Sequence, residues 1–191
     1  MIILILRKAL SLEVAIAVVL LSATMFLSGC DRPAVTLQSD SLAKVEKATK
    51  DYLESPGFLK EVMGEGVKPH QTFCAYQVYG IETRQGKFYH YLWTLCQEYN
   101  LTDTQLKSNS EVSFPIALIL EKRGLLYKVI RHQMPRGGEH YSEDLTTIFP
   151  DYILQAVRLQ SNDTTTVERL LTRLEKENTQ AANSYFKIES P

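Results

Sequence analysis

Hydrophobic and polar positions change their spacing three times along the chain. From Ala9 to Leu27 the residues are apolar apart from Ser, Thr and a single Glu13, and the run is preceded by Arg7 and Lys8. A helical spacing then begins: Leu42, Val45, Tyr52 and Leu53 share one face of a helix expected to start at Asp40 or Ser41. Ser55 and Pro56 interrupt that helix, and Phe58, Leu59, Val62 and Met63 predict one or two further apolar turns before a loop from Gly64 to Pro69. Next come TFCAYQVYGIET and KFYHYLWTLCQEY, rich in β-branched and aromatic residues and separated by RQG. They predict a β-hairpin turning near Arg84, Gln85 and Gly86.

A polar connection, LTDTQLKSNSE, leads to the strand SFPIALILE, where Pro115 predicts an edge position or a bulge. Lys122, Arg123 and Gly124 make a turn, and LLYKVIRHQ returns as a fourth strand. Helical sequence then resumes. Ser142 is the expected cap, with Glu143 and Asp144 in the first turn. Pro150 starts or kinks a helix containing Ile153, Leu154 and Val157. Thr165 and Glu168 read as a capping box for a last helix with Val167, Leu170, Leu171 and Leu174 inward. The expected fold class is α+β: an N-terminal helix packed on a four-stranded antiparallel meander, with C-terminal helices, in a single domain over residues 40–191.

The first segment has a positive flank, a hydrophobic stretch and small residues at its end, which describe a secretory signal. An uncleaved membrane helix is the alternative, because the run nearly reaches the roughly 20 apolar residues that span a bilayer. Leu27, Ser28, Gly29 and Cys30 close the run, and LSGC resembles the lipobox of bacterial lipoproteins. The resemblance covers only the first thirty residues. It implies a signal peptide over residues 1–29, diacylglycerol on the Cys30 sulfur, cleavage before Cys30 and acylation of the new amino terminus, palmitate being the usual acyl group. Residues 30–39 then form the lipidated N-terminus and tether. Glu13 departs from an otherwise apolar stretch, and Asp31 resembles an inner-membrane retention signal. Several acyl chains anchor a protein stably where one does so only marginally.

Charge narrows the choice of partners. Formal net charge is −1, and Arg7, Lys8 and Glu13 leave −2 for the chain from Cys30 onward. That balance argues against a nucleic-acid binder, which would carry a basic stripe.

With Cys30 set aside, Cys74 and Cys96 remain, and export would put them where disulfides persist. Folding the hairpin about Gln85 sets position 74 opposite position 96, within bridging reach. Two reduced, buried thiols are the alternative. A one-residue shift of the turn would place the sulfurs on opposite faces.

Other chemistry is sparse. His132, Met134 and His140 invite a soft-metal reading, but no histidine pair has helical ligand spacing, so no metal or cofactor is expected. The loop MPRGGEH, with Arg131 and Arg136, has the makings of an anion cradle but lacks a phosphate-loop pattern. No nucleophile elbow or other catalytic signature occurs. The one ligand pocket the pattern predicts lies in the concavity of a half-open sheet, lined by Tyr89, Tyr91 and Trp93.

The order of one helix before a curved meander broadly resembles the cystatin-like and nuclear-transport-factor-like folds, which host unrelated functions. The expected function is therefore a membrane-anchored, extracytoplasmic, non-catalytic binding or accessory module that meets an envelope protein or a small ligand. A hydrolase or isomerase using His90 or Glu98 in the cup is the second expectation. The third is an inhibitor or immunity-type factor binding through Arg84–Lys87 or Pro135–Gly138.

Overall fold

The computed structural model describes residues 39–103 and 105–188. The signal segment 1–29, the acylation site Cys30 and the tether up to residue 38 lie outside the described residues. Helix α1 (Ser39–Leu53) is followed by α2 (Pro56–Met63), and the break between them falls at Ser55 and Pro56. A short 3₁₀ turn at Pro69–Gln71 leads into β1 (Thr72–Arg84), β2 (Lys87–Thr102), β3 (Gln105–Arg123) and β4 (Leu126–Gln133). After a 3₁₀ turn at Gly138–His140 come α3 (Tyr141–Ile148), α4 (Asp151–Asn162) and α5 (Thr164–Phe186). The four strands form one antiparallel sheet in the order β1-β2-β3-β4, so the meander and the C-terminal helices are as expected.

Both faces of the sheet are buried. On one, Val45 and Leu53 of α1 and Phe58 and Leu59 of α2 pack with Cys74, Leu92, Cys96, Ile116, Leu118 and Leu120. On the other, Leu145, Phe149, Ile153, Val157, Leu170 and Leu174 pack with Ala75, Tyr91, Trp93, Leu95 and Ala117. Odd and even positions of β2 therefore serve different cores, and the strand is buried without a break from His90 to Tyr99. Each leucine fully withdrawn from water stabilises the fold by about 1.5–3 kcal/mol.

The β1–β2 hairpin departs from its expected geometry in two compensating ways. Arg84 pairs with Lys87, so the turn has two central residues, Gln85 and Gly86. Their φ angles are 51° and 75°, the left-handed pair that a type I′ turn needs. Continued unbroken, that register would set Cys74 opposite Gln97. A bulge intervenes: Val78 pairs with Leu92 and Gly80 with Tyr91, leaving Tyr79 as the extra residue. The bulge restores Cys74 to a position opposite Cys96.

Three local expectations are corrected. The polar stretch read as a connection belongs to strands: β2 runs to Thr102 and β3 starts at Gln105, forming a long arm that is mostly exposed on β3. Backbone pairing holds this arm, so no apolar alternation marked it. Pro115 sits inside β3, yet the pairing of β3 with β4 extends only to Ala117. At Pro115 the far side of β3 has no neighbour, and the missing N–H leaves no bond to β4 unmade. Helix α3 begins at Tyr141 with His140 as its cap residue, placing Ser142 inside the first turn. The cap of α5 is Asp163, whose carboxylate accepts from the Thr165 N–H at 3.1 Å, so Thr165 is capped rather than capping.

Candidate functional site

The half-open cup does not survive the C-terminal helices. Tyr91 is fully buried and Trp93 nearly so, beneath α3, α4 and α5. The Trp93 indole N–H donates to Ser113 Oγ at 2.8 Å. Tyr89 is half-buried, with the Arg84 guanidinium 5.3 Å above its ring. The three aromatics thus line a filled core, because three amphipathic helices have covered the face that the cup required.

The end of that face is closed by a carboxylate. Glu82 pairs closely with Arg84, accepts from the Tyr152 hydroxyl at 2.7 Å and from the Tyr91 hydroxyl at 3.3 Å. Burial first, and the Glu82 charge after it, push both phenols above their ordinary range. They stay protonated and act as donors. The Arg84–Lys87 loop is therefore the tight turn of a hairpin whose base is tied to α4.

His90 faces the other way, into the core under α1. Its Nδ1 lies 2.9 Å from the Thr49 hydroxyl, and the Tyr76 ring meets it edge-on at 6.1 Å. Burial lowers its pKa to about 4, so the imidazole is neutral at physiological pH. Glu98 lies eight residues farther along the same strand, about 26 Å of extended chain, and accepts from Ser110 at 3.3 Å. His90 and Glu98 do not share a cavity, and neither opens on the Tyr89 face.

One partly exposed set of ionisable groups was not foreseen. The Tyr52 hydroxyl stands 2.6 Å from His132 Nδ1, and His132 Nε2 stands 3.1 Å from Glu61 Oε1. Phe58 packs edge-on against the imidazole at 5.4 Å. Hydroxyl, imidazole and carboxylate in series form the geometry of an activated nucleophile. The electrostatics run against that use, since burial, then Glu61, raise the Tyr52 pKa. A phenol held protonated donates to His132 and ties the α1–α2 corner to β4. The three residues come from α1, α2 and β4, 71 and 80 positions apart, and no local motif announces them.

Other candidate residues resolve into supports. Met134 packs against the α1–α2 core, and His140 stands beside Glu139 at 3.7 Å, so His132, Met134 and His140 do not converge. Among the described residues no group of three or more His, Cys, Asp or Glu is arranged to hold a metal ion. In the Pro135–Gly138 loop, Arg136 spends its guanidinium on Asp144, with both contacts at 2.8 Å, and its backbone N–H reaches the same carboxylate. That pairing holds the Asp144 carboxyl well below the usual carboxylate range. The cradle is thus a buttress between the loop and α3. On α5, Asn178 donates to the Leu95 carbonyl at 3.0 Å and to Gln97 Oε1 at 3.2 Å, pinning the helix across β2.

Cys74 and Cys96 are joined, with their sulfurs 2.07 Å apart. Beside them a cleft lined by Lys50, Cys74, Ala75, Tyr76, Glu177 and Asn178 runs along the β1 edge. No helix of the described residues is long and apolar enough to cross a membrane. No family model, curated protein or solved structure matches the chain.

Proposed function

We propose that the chain is a membrane-anchored extracytoplasmic lipoprotein whose folded body is a binding or accessory module held beside the lipid. The observation that carries this reading is LSGC at the end of the apolar run, with only eight residues between Cys30 and α1 at Ser39. The joined Cys74 and Cys96 fit an oxidising compartment. The ionisable clusters of the body close on themselves, as Glu82, Asp144 and His132 do, which favours binding over turnover.

Mass spectrometry of the mature N-terminus tests the anchor: diacylglycerol and an amide-linked acyl group on Cys30 are expected, and Cys30→Ser abolishes both together with membrane retention. Mature protein in the cytoplasm that still begins at Met1 and carries no acyl chain overturns the reading. Crosslinking of the anchored form is expected to capture an envelope protein. A second reading, an envelope hydrolase or isomerase, draws on the Tyr52–His132–Glu61 series. Turnover by the purified protein that disappears in His132→Gln while the melting temperature holds would put it first.

A further inference from the structure

Two of the three hairpin turns of the meander, β1–β2 and β3–β4, lie at one end of the sheet. Lys87, just past the β1–β2 turn, pairs with Glu121, and β3 ends two residues later, at Arg123 opposite Leu126. Seven large hydrophobic side chains are exposed among the described residues, and three of them crowd into positions 125–130: Leu125 is 78 % exposed, Leu126 66 % and Ile130 39 %. Two adjacent leucines at the tip of a hairpin gain nothing in water. They are the kind of exposed apolar surface that marks a contact.

The charge carried by the two hairpin tips is one-sided. Residues 82–88 and 121–131 carry Arg84, Lys87, Lys122, Arg123, Lys128 and Arg131 against Glu82 and Glu121. That is a local excess of four positive charges in a chain whose formal net charge is −1. Glu82 and Glu121 are already engaged by Arg84 and Arg123. A pair of apolar side chains among lysines and arginines matches a surface with anionic phosphates outside and hydrocarbon just beneath.

The start of the body lies at this end as well. The Leu53 carbonyl is 3.4 Å from Cys74 Sγ, whereas Thr49 meets His90, six positions nearer the β1–β2 turn along β2 than Cys96. Followed backward, α1 thus climbs from the disulfide toward the hairpin tips, and Ser39 lies on their side. Residues 31–38 reach at most about 30 Å when extended.

We propose that the hairpin-tip end of the sheet docks on an anionic lipid surface, with Leu125 and Leu126 entering the headgroup region and the surrounding basic side chains meeting phosphates. The tip is too small to hold a free protein on a membrane. A short tether raises its effective concentration at the surface enough to make the contact persistent. The docking deepens the anchored reading and relies on it for that proximity alone. Once docked, the sheet stands on its tips, with the disulfide farther from the lipid than the tips.

The test uses the full-length protein reconstituted in vesicles, with an environment-sensitive thiol probe attached through Leu125→Cys. A control probe is attached through Glu65→Cys in the loop after α2. In phosphatidylcholine vesicles containing phosphatidylglycerol, the tip probe is expected to shift to the blue and to be quenched by headgroup-labelled lipid. Vesicles of phosphatidylcholine alone are expected to give a several-fold smaller response, and the control probe none. Reversing Lys87, Lys122 and Lys128 to glutamate is expected to erase the difference between the two vesicles, with the melting temperature reporting an intact fold. A tip probe that behaves like the control in both vesicles overturns the docking, and so does a shift that grows with protein density, which signals pairing between copies. Flotation and the mass of the mature N-terminus report the anchor separately. A floating, acylated protein with a water-exposed tip sinks the docking and spares the anchor, whereas tip quenching in a floating protein whose N-terminus carries no acyl chain sinks the acyl anchor and spares the docking.

Discussion

The Thr49 hydroxyl and His90 Nδ1 stand 2.9 Å apart in a core where both residues are completely buried. That contact satisfies one ring nitrogen, and Nε2 is left buried without a hydrogen-bond partner. The core tolerates the imidazole only in its neutral form, which is why burial holds its pKa near 4.

Acid sensitivity follows from this burial. The unfolded imidazole takes up its proton near pH 6.5 and the folded one only near pH 4. Between those values the unfolded chain binds more protons, so the unfolding free energy falls as the pH drops from about 6.5 to about 4 and levels off below. The loss credited to His90 is on the order of 3 kcal/mol. Denaturant midpoints measured across that range are expected to fall more steeply for wild type than for His90→Leu. Parallel curves would show that His90 takes up its proton alike in the folded and the unfolded chain.

The bulge at Tyr79 decides whether the two sulfurs can meet. Because Tyr79 is the surplus residue, deleting it while keeping the Gln85–Gly86 turn is expected to leave a regular ladder in which Cys74 still faces Cys96. No free thiol should then appear when the denatured, unreduced protein is titrated. The closed loop of the bridge spans a sequence separation of 22, so its loss is expected to cost about 3 kcal/mol. A deletion variant that releases two free thiols would mean that the ladder had slipped by one residue instead.

Gly80 and Ile153 set the distance between β1 and α4. A Cβ built at position 80 would lie 2.9 Å from Ile153 Cδ1, closer than carbon atoms tolerate. Gly80→Ala is therefore expected to destabilise by about 1–2 kcal/mol, the range of modest overpacking. Ile153→Val removes the offending methyl, and alone it should cost about 0.5–1.5 kcal/mol. In the double variant the two losses should fall well short of adding, as chemical denaturation of all four proteins would show. Simple additivity would place the strain elsewhere.

The architecture was legible wherever side-chain periodicity and turn chemistry agree. Val45 and Leu53 mark the buried stripe of α1, and Ser55 with Pro56 marks its end. The hairpin was legible from its aromatic runs, but its register came out right through two departures that cancel, a two-residue turn and a bulge at Tyr79. Neither departure is written in residue type, since Tyr79 looks like any other strand tyrosine. The strand segment from Gln105 to Val112 escaped notice because no core selects its side chains, mostly exposed as they are. The cup failed for a related reason. Tyr89, Tyr91 and Trp93 would read the same whether solvent or a helix lay above them, and only tertiary packing chooses. The Tyr52–His132–Glu61 series needs α1, α2 and β4 to converge, which no window of sequence reports.

The way α1 is seated governs how the body bears mechanical load. A pull on the N-terminal chain reaches Ser39 first, and Val45, Thr49 and Leu53 form the seam that holds the helix to the sheet. Such a seam peels one turn at a time, each turn lengthening as helix rise gives way to extended chain. Past Leu53 the pull passes to α2 and then to β1, where the Cys74–Cys96 cross-link fixes the slack that this part of the hairpin can release. A load applied at Ser39 is therefore expected to open α1 first, like the outermost coil of a spring, while the cross-linked strands behind it keep their register.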